Sequence, residues 1–172
     1  VATGKTTVFR GHHDQPVRLS VAADGGVVTG SWAGQVSFWR LDHALPLAQE
    51  RAHPGIVLFV AHAARGARVV TSSRRLSIVW DTKTMKPVRS LTPPADVSSG
   101  DAAGDLFVLG TRAGRAHLYD LASGAPLRSL SAGSAALTCL RLSADGATLV
   151  TLSAAGDLGV WRTADGKRLR HF

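Results

Sequence analysis

The chain holds a single cysteine, Cys139, so an internal disulfide framework is excluded. That cysteine falls in the apolar stretch ALTCLRLS, where a buried, inert thiol is the expected role. No apolar run approaches the ~20 residues a membrane-spanning helix needs, and the best, Ile56 to Ala61, is far shorter. No signal-peptide pattern is visible, and a cytoplasmic setting is the expectation. Asn is absent altogether, and acids are scarce, with 12 Asp and Glu against 20 Lys and Arg for a net charge of +8. Such a balance permits attraction to nucleic acid, anionic lipid or acidic proteins. A composition heavy in Ala, Arg and Gly is equally what biased codon usage produces. Apolar content is ordinary for a globular chain, which argues against disorder.

What the chain has is one hairpin written four times. Leu149 to Trp161 reads LVTLSAAGDLGVW, two short apolar runs around a Gly-containing turn. Val27 to Trp39, Val69 to Trp80 and Phe107 to Tyr119 repeat it as VVTGSWAGQVSFW, VVTSSRRLSIVW and FVLGTRAGRAHLY. The closing aromatics, Trp39, Trp80, Tyr119 and Trp161, are spaced by 41, 39 and 42 residues. A period near 40 with four strand signals per period marks propeller blades.

The chain divides into an outer strand within residues 1–10 and repeats at about 11–51, 52–92, 93–131 and 132–172. Inner strands are expected at Val17–Val21, Ile56–Ala61, Val97–Gly100 and Leu137–Leu142. The third is the weakest, eroded by Pro93-Pro94 and Ser98-Ser99-Gly100. Turns such as Asp24-Gly25, Asp145-Gly146 and Asp165-Gly166 bring the residues that positive φ favours. No span reads as a helix, and the expected class is all-β.

These features resemble the WD-repeat β-propeller family, across essentially the whole chain. Gly11-His12 precedes Trp39, and Ala52-His53 precedes Trp80, with 27 residues from His to Trp in both; Ser134 fills the His slot before Trp161 and Thr92 the one before Tyr119. Trp80-Asp81 and Tyr119-Asp120 keep the terminal aromatic-acid pair, whereas Trp39-Arg40 and Trp161-Arg162 lose the acid. The resemblance implies a blade-bracing tetrad of His, Asp, Ser/Thr and Trp, with His12 and His53 in its His slot. Its Ser/Thr position is expected at Ser31, Ser72, Thr111 and Ser153. Its Asp position holds Ala33, Arg74, Ala113 and Ala155, so no repeat has the full set. Each missing bond forfeits roughly 0.5–1.5 kcal/mol, leaving apolar packing to hold the blades.

Rings of this family usually have more blades than four. Thr6 to Arg10 reads as an outer strand able to close a ring against Leu158 to Trp161, yet Arg168 to Phe172 already supplies one there. The surplus strand and the absent initiator Met favour an internal piece of a longer propeller. The alternative is two copies joining into an eight-bladed ring. The partners needed to complete the ring are therefore further blades or a second copy.

Nothing in the residues supports catalysis. Gly4-Lys5-Thr6 lacks the upstream glycine, strand and helix of a phosphate-binding loop. With His12 and His53 assigned to the bracing slot, His13 and Asp14 alone make no metal site, and no Gly-x-Ser-x-Gly turn is present. No cofactor or metal is expected. A binding surface is better motivated. The resemblance places the outer-to-inner loops and the hairpin turns on one face, which would receive Arg10, His13, Trp32, Arg51, Arg74, Arg75, Arg112 and Arg115. An aromatic ringed by arginines suits acidic or phosphorylated protein segments, with nucleic acid the second choice. Arg65, Lys83, Lys86 and Lys167 fall on the opposite face. The expected function is a non-catalytic protein-interaction scaffold.

Overall fold

The computed structural model describes residues 8–172. Its strands form four sheets, and no α-helix occurs among the described residues. The first sheet holds β1 (Pro16–Val21), β2 (Gly26–Ser31), β3 (Gln35–Arg40) and β4 (Ala48–Arg51). The second holds β5 (Phe59–Ala63), β6 (Arg68–Ser72), β7 (Ser77–Asp81) and β8 (Lys86–Leu91). β9 (Val97–Ala103), β10 (Leu106–Thr111), β11 (Arg115–Asp120) and β12 (Pro126–Ser131) make the third. β13 (Leu137–Leu142), β14 (Thr148–Ser153), β15 (Leu158–Arg162) and β16 (Arg168–His171) make the fourth. Each sheet is an antiparallel meander in chain order.

Local chemistry sets the turns. Asp24 Oδ1 accepts the Gly26 N–H at 3.0 Å, and Asp145 Oδ1 accepts the Ala147 N–H at 3.0 Å, closing the β1–β2 and β13–β14 turns. At the outer turns Asp81 Oδ1 takes the Thr84 N–H at 2.8 Å and Asp120 Oδ1 takes the Ser123 N–H at 2.7 Å. The acid of the aromatic-acid pair is thus a turn cap. Where it is missing, Asp165 caps the fourth blade's turn by accepting the Lys167 N–H at 3.0 Å.

Three buried clusters lie between successive sheets. Val28, Val36 and Phe38 meet Val57, Val69, Ile78 and Trp80. Val70, Val79 and Phe59 meet Val97, Phe107, Leu109 and Tyr119. Val108, Ala116, Leu118 and Leu130 meet Leu137, Leu140, Leu149 and Trp161. At about 25 cal/mol per Å² of apolar surface, these clusters dominate what holds one blade to the next.

The inner strands depart from the sequence in two places. β5 starts at Phe59 rather than Ile56, because the Val57 N–H goes to the Ser31 carbonyl of the first sheet. β9, expected to be weakest, runs seven residues. Its small residues are required by packing: a Cβ on Gly100 would lie 2.2 Å from the Phe59 ring. The Ser98 and Ser99 hydroxyls both donate to the Leu137 carbonyl, at 2.7 and 2.8 Å. Residues 8–10 are not a strand and do not pair with β15, whose outer neighbour is β16. Instead Phe9 packs on Trp39 with ring centroids 5.3 Å apart. The remainder of the expected outer strand, Thr6 and Thr7, lies outside the described residues, as do Gly4 and Lys5.

Candidate functional site

A hydrogen-bonded triad braces the first two blades. In the second, Thr71 Oγ1 accepts the Trp80 Nε1–H at 2.8 Å and lies 2.7 Å from His53 Nε2. In the first, Thr29 Oγ1 takes the Trp39 Nε1–H at 2.8 Å and meets His12 Nε2 at 2.6 Å. The fourth keeps half of it, with Trp161 Nε1 donating to Thr151 Oγ1 at 3.0 Å. The third has none: Leu109 occupies the position of Thr29, and Tyr119 stacks on Phe107 at 4.9 Å.

The bridging hydroxyl is therefore not the one expected. Ser31, Thr111 and Ser153 lie beyond the paired part of the hairpin and brace its loop. Ser31 Oγ accepts the Gln35 N–H at 3.0 Å, Thr111 Oγ1 the Arg115 N–H at 3.2 Å, and Ser153 Oγ the Asp157 N–H at 3.1 Å. Ser72 meets Ser77 Oγ at 2.8 Å. The reason is the pleat. Val27 pairs with Trp39, so Thr29, two residues on, shares the tryptophan's side of the sheet and lies diagonally adjacent to it. A Thr ten residues before the Trp in the first and fourth repeats was the available signal.

Loss of the tetrad's acid leaves a mark. His12 Nδ1 and His53 Nδ1 are buried with no hydrogen-bond partner. Burial pushes the His53 imidazole down to about 4. Burial also lowers His12, against the raising influence of the nearby Gln35 side chain and Asp14 carboxylate. Asp14 takes over part of the acid's work from the preceding loop, since its Oδ2 accepts the Ala33 N–H. Burial raises the Asp14 carboxyl, but Ser31 and Ala33 outweigh it and hold the group below its ordinary value.

The hairpin turns and the outer-to-inner loops meet on one face and are laced by backbone bonds. The Trp32 N–H donates to Gln15 O at 2.9 Å, the Ala52 and His53 N–H groups to Gly34 O at 3.1 Å, and the Arg112 N–H to Asp96 O at 3.0 Å. Gly34 is irreplaceable here: its φ is +89°, and a Cβ would lie 2.1 Å from His53 O. The Trp32 ring projects from this framework 62% exposed. In the loops of the second blade on this face, Pro54, Gly55, Ile56, Ser73, Arg74 and Arg75 line a depression of about 300 Å³. His13, Arg51, Arg74 and Arg112 are exposed in these loops or at their edges.

Two of the expected arginines are placed differently and one is compensated. Arg10 is set apart, because its N–H donates to Ala44 O at 3.0 Å in the β3–β4 turn at the opposite end of the sheet. Arg115 turns along the rim, its Nε donating to Ser129 Oγ at 3.2 Å in β12. Arg75 forms an ion pair with Asp96. Trp32, His13, Arg51, Arg74 and Arg112 remain exposed in the loops of this face or at their edges.

Comparison with known proteins agrees with this architecture. Over 84 residues, 48% of the chain, it is 34% identical to human WD repeat-containing protein 3, and the match spans 9% of that protein. In shape it matches the crystal structure of the computationally designed Ika4 protein, with a TM-score of 0.81 over 93% of this chain and 99% of that one at 20% identity. No protein-family model matches. The four sheets are propeller-like blades.

Polar contacts also join neighbouring blades. Across the inner strands, His62 Nδ1 lies 2.8 Å from Ser20 Oγ, and Asp101 Oδ2 accepts the Leu142 N–H at 2.8 Å. These pairs stitch neighbouring blades along the central groove. Among the described residues, no three His, Cys, Asp or Glu side chains converge as metal ligands, and no helix is long and apolar enough to cross a membrane.

Proposed function

We propose that this chain is a non-catalytic protein-interaction scaffold, and that its hairpin-loop face takes an acidic or phosphorylated segment of a partner protein. The carrying observation is Trp32, a large aromatic held out in solvent by a turn whose backbone is fixed on both sides. A rigid aromatic loses little conformational freedom on binding, which makes it an efficient anchor. Arg51, Arg74 and Arg112 supply charge around it, and a guanidinium reads carboxylate or phosphate through two parallel N–H bonds. The likeness to a WD repeat-containing protein supports a scaffold role.

Fluorescence anisotropy with labelled acidic and phosphorylated peptides tests this. Trp32→Ala is expected to weaken binding about 30-fold, the loss typical of a buried aromatic anchor, and Arg65→Ala on the opposite face is expected to leave it unchanged. Equal binding by wild type and Trp32→Ala would overturn the proposal. Nucleic acid would show itself instead by a steep log–log dependence on salt with no dependence on Trp32.

A further inference from the structure

We propose that the cleft between the first and second blades, at the end of the sheets opposite Trp32, binds a small amphiphilic carboxylate. Val28, Phe38, Leu47 and Met85 line its apolar side, Arg40 and Lys83 its cationic edge, and it holds about 420 Å³. Both walls are blades packed on one another through the cluster of Val28, Phe38, Ile78 and Trp80.

The repeats provide their own controls, because the ladder registers identify equivalent positions. Gly26 faces Arg40 as Arg68 faces Asp81 and Leu106 faces Asp120. On the outer strands Ala48 faces Phe38 as Arg89 faces Val79 and Arg128 faces Leu118. In the outer turns Met85, Gly124 and Gly166 each donate their N–H to the carbonyl four residues back, that of Asp81, Asp120 or Arg162. All three are left-handed, with φ of +57°, +70° and +73°. Lys83 therefore matches Ala122 and Ala164.

At the next two junctions an arginine lies across this place. Arg89 Cδ is 2.4 Å from where a Cβ on Gly124 would sit, Arg128 Cδ is 2.6 Å from the same point on Gly166, and Arg128 donates to Ala164 O at 2.9 Å. The glycine is what admits the arginine. The first junction inverts both members: Ala48 replaces the arginine and Met85 the glycine, in a backbone conformation that a residue with a side chain adopts only at a cost. Gly26 also leaves out the side chain that Arg68 supplies. The consequence is a deeper cleft. Its counterpart between the second and third blades is lined by Arg68, Val88 and Arg89 and does not reach Val70 or Val79, whereas the first reaches the equivalent Val28 and Phe38.

The same departures define the ligand. A volume of this order suits a small molecule, and a methionine wall adapts to an apolar chain. Arg40 stands where the next two blades carry Asp81 and Asp120, and Lys83 where they carry Ala122 and Ala164, so acids give way to cations at one edge. Two acids lie nearby. Asp24 Oδ1 is taken by the Gly26 N–H at 3.0 Å, and Asp42 pairs with Arg40 at 3.3 Å, both side chains more than half exposed. Burial keeps the His62 imidazole below its ordinary value against the raising effect of Asp24, so His62 adds no charge at neutral pH. Lys83 is exposed and has no ion pair among the described residues. One free cation at the edge of an apolar cleft suits a singly charged head, a carboxylate, with its chain laid against Phe38 and Met85.

Octanoate and octanol are the probes. Met85 is the chain's only methionine, so an isotopic label on its methyl group reports from the cleft wall by NMR. Octanoate is expected to shift that signal saturably and to bind about ten-fold more tightly than octanol. Lys83→Ala, at an exposed position, is expected to remove the preference for octanoate. Ala48→Arg combined with Met85→Gly rebuilds the junction of the later blades; calorimetry is expected to show octanoate binding lost while circular dichroism is unchanged. An unmoved Met85 signal, equal binding of octanoate and octanol, a Lys83→Ala chain that still prefers octanoate, or undiminished octanoate binding after the rebuilding would each overturn the proposal.

Discussion

Replacing Thr71 by valine keeps the shape of the second blade and removes the oxygen on which two buried groups converge. Thr71, His53 and Trp80 are all buried, and Thr71 Oγ1 is the partner of both Trp80 Nε1 at 2.8 Å and His53 Nε2 at 2.7 Å. A buried polar group left without a partner costs about 1–3 kcal/mol. With two groups orphaned, Thr71→Val is expected to cost about 2–6 kcal/mol, a large share of the 5–15 kcal/mol typical of a domain. His53 Nδ1 has no partner to begin with, so the ring has no second bond to hold it. Thr151→Val removes the partner of Trp161 alone and should cost about half as much. Thr29→Val falls between, since His12 is only half-buried. Urea denaturation followed by tryptophan fluorescence and by circular dichroism measures all three, and coincident curves license the comparison. A Thr71→Val loss below about 1 kcal/mol, or one smaller than that of Thr151→Val, would refute the bridging role.

Other perturbations follow from the same geometry. His53, with an ordinary value of 6.5, falls to about 4 on folding, so the unfolded chain binds the extra proton. Its contribution is complete above pH 6.5, declines as pH falls toward 4 and is then exhausted, in total about 3 kcal/mol; His53→Gln should flatten the stability-against-pH curve in that window, and an unchanged curve would show that His53 is not the titrating group. Gly110→Ala would bring a Cβ within 2.4 Å of Leu140 Cδ1, and an expected loss of about 1–3 kcal/mol from overpacking is readable in the same urea series. Arg74→Asp restores the acid to the position the bracing tetrad would fill; it should stabilise the second blade by about 1 kcal/mol and raise the His53 pKa measured by NMR. The same change should weaken acidic-peptide binding, so greater stability with undiminished binding would remove Arg74 from the interaction face.

The blades were legible because their signals are periodic and local. Four aromatics at nearly constant spacing, with Asp-Gly turns between them, fix both strand number and strand order. β9 was undervalued because strand propensity prices Ser98, Ser99 and Gly100 as isolated residues, whereas Phe59 and the Leu137 carbonyl of neighbouring blades demand small and hydroxylated ones. The bridging threonines lie two residues before the expected hydroxyl in the first and fourth blades and one before it in the second, because the pleat rather than spacing along the chain decides which side chain meets the tryptophan. Loop membership alone points Arg10 and Arg115 to the loop face, but neither the Ala44 carbonyl that holds the first nor the Ser129 hydroxyl that holds the second is adjacent in sequence. The role of Asp14 is not legible for a related reason: it replaces a lost turn acid from the preceding loop, a substitution visible only in three dimensions.

The worn tetrad and the loop face are two aspects of one surface. The positions that have lost the acid, at Ala33, Arg74, Ala113 and Ala155, all lie in the hairpin turns of the four blades. An aspartate at those positions would cap the His imidazoles and also place negative charge on the face proposed to take an acidic segment. Losing it removes that repulsion, and at Arg74 reverses its sign, while orphaning His12 Nδ1 and His53 Nδ1. Stability then shifts from bonds within a blade to apolar contact between blades.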